Sequence, residues 1–319
     1  MRYDVISVGG ANIDVFITSK SKDIEFEKIH EHEDVCLPIG AKILIDNLVT
    51  DTGGSGLNTS TAFARLGFKA AVISKLGEDM NAEIILNKLK KEKVDFLGVK
   101  APGHTGYSVI FSGLHKNRTI LTFKGNNNNL TTKDIRWKKL KTKWLYFGTL
   151  LGESWKTQCE IASYAKKNGI KLLFNPSLYL AEKGMKFLRP VLDACTILVL
   201  NKEEAEALTG MKADTKTLLG TLQETVPIVV ITDGPRGAQA YNGIKYHSIV
   251  PKDVPIIDTT GAGDSFASAF LAALLGKQDI PTALRWGAAE ANSVIQHYGA
   301  TNKLLTKKEM LKQAKHAEA

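Results

Sequence analysis

The sequence predicts an α/β fold with a mostly parallel central sheet covered by helices on both faces. Three observations carry this expectation. From Trp144 onward, short apolar runs alternate with longer helix-like segments, the pattern of a parallel sheet with helical crossovers. The first run, Tyr3 to Val8, is apolar and β-branched and stops at Gly9-Gly10, as a buried opening strand does. The chain has 319 residues, 44% of them apolar, which suffices for a large core. That length accommodates one large domain or two. With neither a linker-like stretch nor an internal repeat, residues 1–319 read as a single domain.

Taken in order, Ala11 to Ile17 alternates polar and apolar over most of its length and reads as a half-exposed strand, with Asn12 and Asp14 on one face. Thr18 to Asp34 is mostly polar and charged. Its His30 and His32 lack a third ligand at metal spacing. Ile39 to Val49 reads as further strand. Gly53 to Gly67 is a glycine-rich loop turning into helix, Val72 to Gly77 a core strand, and Ala82 to Lys93 an amphipathic helix with Ile84, Ile85, Leu86 and Leu89 inward. Thr105 to Gly113 and Thr119 to Phe123 are strands joined by the polar turn Leu114 to Arg118, and Asn126 to Asn129 is a turn. The later strands are Trp144–Leu150, Leu172–Phe174, Ile197–Leu200 and Ile228–Thr232. Helices run over Thr157–Asn168, Lys202–Leu208, Ser265–Leu275 and Ala288–His297, with an exposed helix in the tail, Lys307–Ala319.

Composition narrows the functional class. No apolar run approaches the roughly 20 residues of a membrane span. The N-terminus runs straight into a strand, so no signal peptide is expected. Cys36, Cys159 and Cys195 are scattered and lack C-x-x-C spacing, which reads as reduced thiols in a cytoplasmic protein without a zinc site. The net charge of +9 would suit nucleic acid or an anionic substrate. Yet the lysines are dispersed along helix faces, as at Lys88, Lys90, Lys91 and Lys93. The densest patch, Lys138, Lys139, Lys141 and Lys143, reads as a solvated face, so no nucleic-acid partner is expected.

The stretch Asp258-Thr259-Thr260-Gly261-Ala262-Gly263-Asp264 is followed by an apolar helix. It therefore delivers backbone N–H groups to a helix start, where they lack intrahelical partners and the macrodipole adds positive charge. Such a place binds phosphate or a developing oxyanion. Gly261 and Gly263 free the backbone and keep side chains out of a ligand's way. Asp264 stands where it could take a proton from a hydroxyl beside the anion, an arrangement suited to phosphoryl transfer to an alcohol. Taken alone, an Asp at a helix start is most often an N-cap, and Gly-Ala-Gly is often only a turn.

The full string, however, resembles the D-T-x-G-A-G-D signature of the PfkB/ribokinase sugar-kinase family. A second signature lies upstream in Gly53-Gly54-Ser55-Gly56-Leu57-Asn58, followed by Ala62, Arg65, Leu66 and Gly67. The resemblance spans Gly9 to Gly299. It implies a ribokinase-like three-layer sandwich with a small β-sheet lid formed by about 12–50 and 104–125, and an ATP-dependent kinase acting on a sugar hydroxyl. In that resemblance Asp264 is the base, with the backbone of Gly261, Ala262, Gly263 and Asp264 as anion hole. Asn12, Asp14, Gly54, Asn58 and Arg118 fall at acceptor-binding positions. Ser55 departs from the pattern, because ribokinase has a lysine there, and this speaks against ribose as the substrate.

Asn201-Lys202-Glu203-Glu204 resembles the family's N-x-x-E motif, which places Asn201 near nucleotide phosphates and has Glu204 orient Mg²⁺ through water. An ordinary helix start with an Asn cap and early acids would use the same residues. Thr232-Asp233-Gly234-Pro235-Arg236-Gly237 resembles the T-x-G-x-x-G nucleotide loop, here Thr232, Gly234 and Gly237, and Asn292 falls at the adenine pocket. Asp258 with Gly299-Ala300 matches a loop that can hold a monovalent cation such as K⁺. A homodimer joined through the lid belongs to the same expectation. Two alternatives stand beside the sugar kinase. One is a nucleoside kinase, with Ile13, Val15, Phe16, Ile110 and Phe111 as an apolar slot for a purine. The other is a non-catalytic sugar-binding protein on this scaffold, which would need neither Asp264 nor the glycines.

Overall fold

The computed structural model describes residues 3–19, 24–29, 32–114 and 117–315. Its main sheet has nine strands in the order Tyr246–Ile249, Ala238–Tyr241, Ile228–Thr232, Ile197–Asn201, Lys171–Phe174, Thr142–Phe147, Tyr3–Val8, Ala70–Ile73 and Asp95–Phe96. From Ile228–Thr232 to Asp95–Phe96 every pairing is parallel, and the two strands at the other edge are antiparallel. Side chains alternate between two cores, as the pleat requires. Leu172, Phe174, Val229 and Ile231 pack under one helix layer, which includes Gly152–Lys167 and Gly184–Leu192. Leu173, Val230, Val199 and Tyr146 pack under the other, built on Ser55–Arg65, Ala262–Leu275 and Ile280–Val294. This is the predicted α/β sandwich.

A separate sheet has four strands, in the order Asn117–Phe123, Gly106–Leu114, Asn12–Thr18 and Asn47–Gly53. The strand Asn12–Thr18 is not half-exposed, because it lies between Gly106–Leu114 and Asn47–Gly53 and is covered on both faces. Ile13 and Val15 pack on Leu57, Val72 and Ile85, while the Phe16 ring lies 6.2 Å from that of Tyr298. The expected strand from Ile39 begins only at Asn47 and continues to Gly53. Its antiparallel partner ends at Thr18, opposite Asn47, so Ile39, Leu44 and Ile45 have no ladder to join and stay exposed. His30 lies outside the described residues, as does the side chain of His32. Among the described residues no cluster of three His, Cys, Asp or Glu could hold a metal.

Several helices begin earlier than the sequence predicts. The last core helix starts at Ile280 rather than Ala288, because the Asp279 carboxylate caps the Thr282 N–H and Pro281 suits a first turn. The helix expected at Thr157 starts at Gly152, and that expected at Ala82 starts at Met80, with Ile84 facing solvent rather than the core. In the tail helix Lys307–Lys315, Met310 is fully buried, so that helix is docked. The asparagine run is more than a turn. Asn126 and Asn127 are buried, and Asn127 accepts from Ala11 N–H and Ser74 Oγ–H, both at 3.1 Å, and donates to Ala11 O, at 3.2 Å. It thereby ties the base of the small sheet to the main one.

Candidate active site

The parallel strands deliver their loops to one edge, the carboxyl edge, where open α/β sheets place ligands. A cavity of about 520 Å³ opens there. It is lined by Gly10, Thr149, Asn175, Asn201 and Thr232, which follow or end five successive main-sheet strands, and by the loop leading into the helix Ala262–Leu275. Gly261 caps that helix at φ +79°, a left-handed conformation that favours glycine, and a Cβ there would lie 2.4 Å from Ala300 Cβ. Ala262 N–H bonds back to Thr259 O at 3.3 Å, and Ser265 N–H to Gly261 O at 2.9 Å. The N–H groups of Gly263 and Asp264 remain in the first turn, where no helix carbonyl can reach them. The buried Asp258 holds this loop: its Oδ1 accepts from Thr260 N–H at 3.0 Å and Thr260 Oγ–H at 2.7 Å.

Asp264 lines the cavity, and Asn58 Nδ2 donates to its Oδ2 at 2.9 Å. Burial pushes the Asp264 carboxyl up to about 6, against the opposing effects of the Asn58 amide and the Tyr146 hydroxyl. Asn58 is itself buried and lies outside the cavity lining, with its amide turned to the Asp264 carboxylate. Tyr146 is fully buried and donates to Asn175 Oδ1 at 3.0 Å, while Asn175 Nδ2 donates to Val199 O at 2.8 Å.

Glu204 faces the same cavity. It forms a capping box with Asn201, with Asn201 N–H on Glu204 Oε2 and Glu204 N–H on Asn201 Oδ1, both 2.8 Å. Its carboxyl is pushed up to about 7, first by burial and further by the charges of Glu203 and Asp264. Glu204 is thus at once a helix cap and a cavity-lining acid.

On the small-sheet side, Asn12 and Gly54 line the cavity. Gly54 caps the helix Ser55–Arg65 at φ +92°, and a Cβ there would lie 2.4 Å from Asn12 Oδ1 and 2.5 Å from Gly10 O. Gly10 O in turn accepts from Gly56 N–H at 2.9 Å, so the glycine run is a close backbone crossing that also forms a cavity wall. Asp14 sits beneath that wall, buried, accepting from the Asn12 amide and the Ser108 hydroxyl. Burial pushes its carboxyl up to about 6. A Cβ on Gly53 would lie 1.8 Å from Asp14 Oδ2, so a side chain there would displace the Asp14 carboxylate.

The remaining candidates fall elsewhere. Gly234 and Gly237 close a tight turn, Gly237 N–H on Gly234 O at 3.0 Å, beside a shallower depression shared with Lys202, Asp233 and Arg236. Asn292 lines a third cavity of about 600 Å³ with Ile249, Val250 and Ala289, and donates to Lys252 O at 2.9 Å. Arg118 lies on the strand Asn117–Phe123, but its side chain is outside the described residues. Of the residues offered as a purine slot, Ile13, Val15, Phe16 and Ile110 are buried in the core, and neither they nor Phe111 line this cavity. Sequence reasoning missed Thr149, Asn175, Tyr146 and Lys124. Asn175 had a usable signal, because it is the first residue after a predicted parallel strand.

Over residues 5–307 the sequence matches the pfkB family of carbohydrate kinases. The chain belongs to that family. It is similar to the ribokinase of Haemophilus influenzae, 29% identical over 273 residues that make up 83% of this chain and 88% of that protein. In fold it resembles the adenosine kinase of Sinorhizobium meliloti, with TM-score 0.83 and 22% identity over 98% of this chain and 100% of the other. It equally resembles the ribokinase of Arabidopsis thaliana complexed with ribose and ATP, with TM-score 0.80 and 23% identity over 99% of each chain. The PfkB-family signatures in the sequence thus coincide with the cavity walls: the glycine crossing on one side, the helix start with Asp264 on the other.

Proposed function

We propose that this PfkB-family kinase transfers the γ-phosphoryl group of ATP to a hydroxyl of a sugar or nucleoside, with Asp264 as the general base. One observation carries the reading: a carboxylate with a raised pKa lies in the first turn of a helix whose N-terminus opens into the cavity. Asp264 removes the hydroxyl proton as the acceptor oxygen bonds to the γ-phosphorus and the bond from that phosphorus to the bridging oxygen of ADP breaks. The N–H groups of Gly263 and Asp264, with the helix macrodipole, stabilise the charge on the transferring group. The small sheet serves as a lid that excludes water, the competing acceptor. Asn12 and Gly54 face the acceptor, and Thr232 and Asn201 the nucleotide phosphates. The apolar slot with Ile249, Val250 and Asn292 suits the adenine. A screen of sugars and nucleosides with ATP, read as ADP release, tests the assignment; no acceptor-dependent ADP release would overturn it.

The residues fit Mg²⁺ held mainly through water and phosphate oxygens, since Glu204 offers a partly buried carboxylate beside Asp264 and the described residues build no protein cage around it. When bound with ATP, the ion neutralises phosphate charge. Glu204→Gln keeps the shape of the cap and removes the charge. The Mg²⁺ concentration for half-maximal rate is expected to rise several-fold. Were Glu204 only a helix cap, the variant would lose about 1 kcal/mol of stability or less and titrate with Mg²⁺ like the parent.

A further inference from the structure

The charged side chains lining the main cavity are Lys124, Glu204 and Asp264. The two acids belong to the phosphoryl-transfer end, which leaves Lys124 as a cation without an assigned task. It follows the strand Asn117–Phe123 of the small sheet, and its carbonyl accepts from Asn127 N–H at 3.0 Å, so its backbone is anchored to the buried asparagine hub. Its ammonium lies 5.4 Å from the centre of the Tyr179 ring, which also lines the cavity. Among the described residues it forms no salt bridge. Asp14 is the acid whose charge acts on it, yet that carboxylate is buried and already accepts from Asn12 and Ser108.

A half-buried ammonium without a counter-ion is costly, and contact with an aromatic face offsets only part of the cost. Burial accordingly lowers the Lys124 pKa. A neutral polyol would leave that cost in place, whereas a ligand bringing its own negative charge would remove it. The acid acting on Lys124 is Asp14, at the small-sheet wall, rather than Asp264, so the cation belongs to the acceptor's side.

We propose that Lys124 reads an anionic group on the acceptor, so that the substrate carries a phosphate or carboxylate besides the hydroxyl that is phosphorylated. This rests on the kinase reading above and adds no covalent step to it. Tyr179 keeps the lysine stem in place, and Asn12, on the same cavity wall, offers its amide oxygen to the hydroxylated part of the same molecule.

The test is a panel in which each neutral acceptor is matched by its charged forms: glucose with glucose 6-phosphate and gluconate, fructose with fructose 6-phosphate, adenosine with adenosine monophosphate. The best acceptor is expected to be anionic, and the phosphate and carboxylate arms show which group is read. Lys124→Met keeps the stem over Tyr179 and removes the charge. It is expected to lower kcat/KM for the anionic acceptor about 10–100-fold, the scale of a lost charge-assisted hydrogen bond, so that preference over the neutral parent collapses. A neutral best acceptor, or equal discrimination by both proteins, would overturn the proposal and leave the kinase reading standing. So would a Lys124→Met variant whose KM for ATP rises equally with every acceptor, since Lys124 would then serve the triphosphate. If no compound is phosphorylated, the kinase reading fails. Thermal stabilisation by the same compounds then decides: an anion-dependent shift that Lys124→Met abolishes supports the proposal, and its absence overturns it.

Discussion

Asp264→Asn is expected to lower turnover about 10²–10⁴-fold, the usual cost of removing a general base, while ATP binding persists. Asparagine keeps the size of the side chain, and its amide oxygen can still accept from Asn58 Nδ2, so the helix start should hold its shape. What is lost is the capacity to take a proton. The raised pKa of Asp264 shows how far its surroundings disfavour the charge, and a base near its working pH transfers protons most effectively. Near-normal turnover in this variant would remove Asp264 from the chemistry. Loss of ATP binding together with turnover would show instead that the loop had collapsed.

Gly54→Ala is expected to be the most damaging single methyl group in the site. A residue with a Cβ at φ +92° costs about 1–3 kcal/mol in backbone strain. The new carbon would also overlap the Gly10 carbonyl, 2.5 Å away, and that carbonyl belongs to the backbone crossing and cannot rotate aside. Overpacking adds a further loss of about 1–3 kcal/mol. Together these should lower the urea midpoint clearly and weaken acceptor binding, because Asn12 must move. Gly263→Ala is the contrast: its Cβ would meet nothing within 4 Å and its φ is not in the left-handed region, so stability should hold. Equal stability of Gly54→Ala and the parent would show that the crossing is more compliant than its distances imply.

Much of this was legible in the sequence, for reasons that also explain what was not. The parallel sheet announced itself because strands buried on both faces are apolar throughout, as in Ile197–Leu200 and Ile228–Thr232. Asp264, Gly261, Glu204, Asn201 and Thr232 sit in local strings whose spacing alone places them at strand ends and helix starts. Asn58 stood out in a local glycine-rich string, but its contact with Asp264 did not, because it joins positions 206 apart. Lys124 and Tyr179 are likewise brought together only by the fold, so nothing around either residue marked it. Asp14 shows a further limit: the strand period gave its face correctly, while the glycine wall covering it is a tertiary fact.

The most direct test of Asp264 as base is the dependence of kcat/KM for the acceptor on pH, at saturating ATP and Mg²⁺. Removing a proton requires the ionised carboxylate, and burial places its pKa at about 6. The rate should therefore fall about tenfold per pH unit below that value and level off above it. Glu204, pushed up to about 7, would be held ionised at saturating Mg²⁺ and should add no limb of its own. Asp264→Asn should lack the acidic limb altogether. A kcat/KM that stays flat down to about pH 5 in the wild-type enzyme, or an acidic limb that survives unchanged in Asp264→Asn, would contradict the assignment.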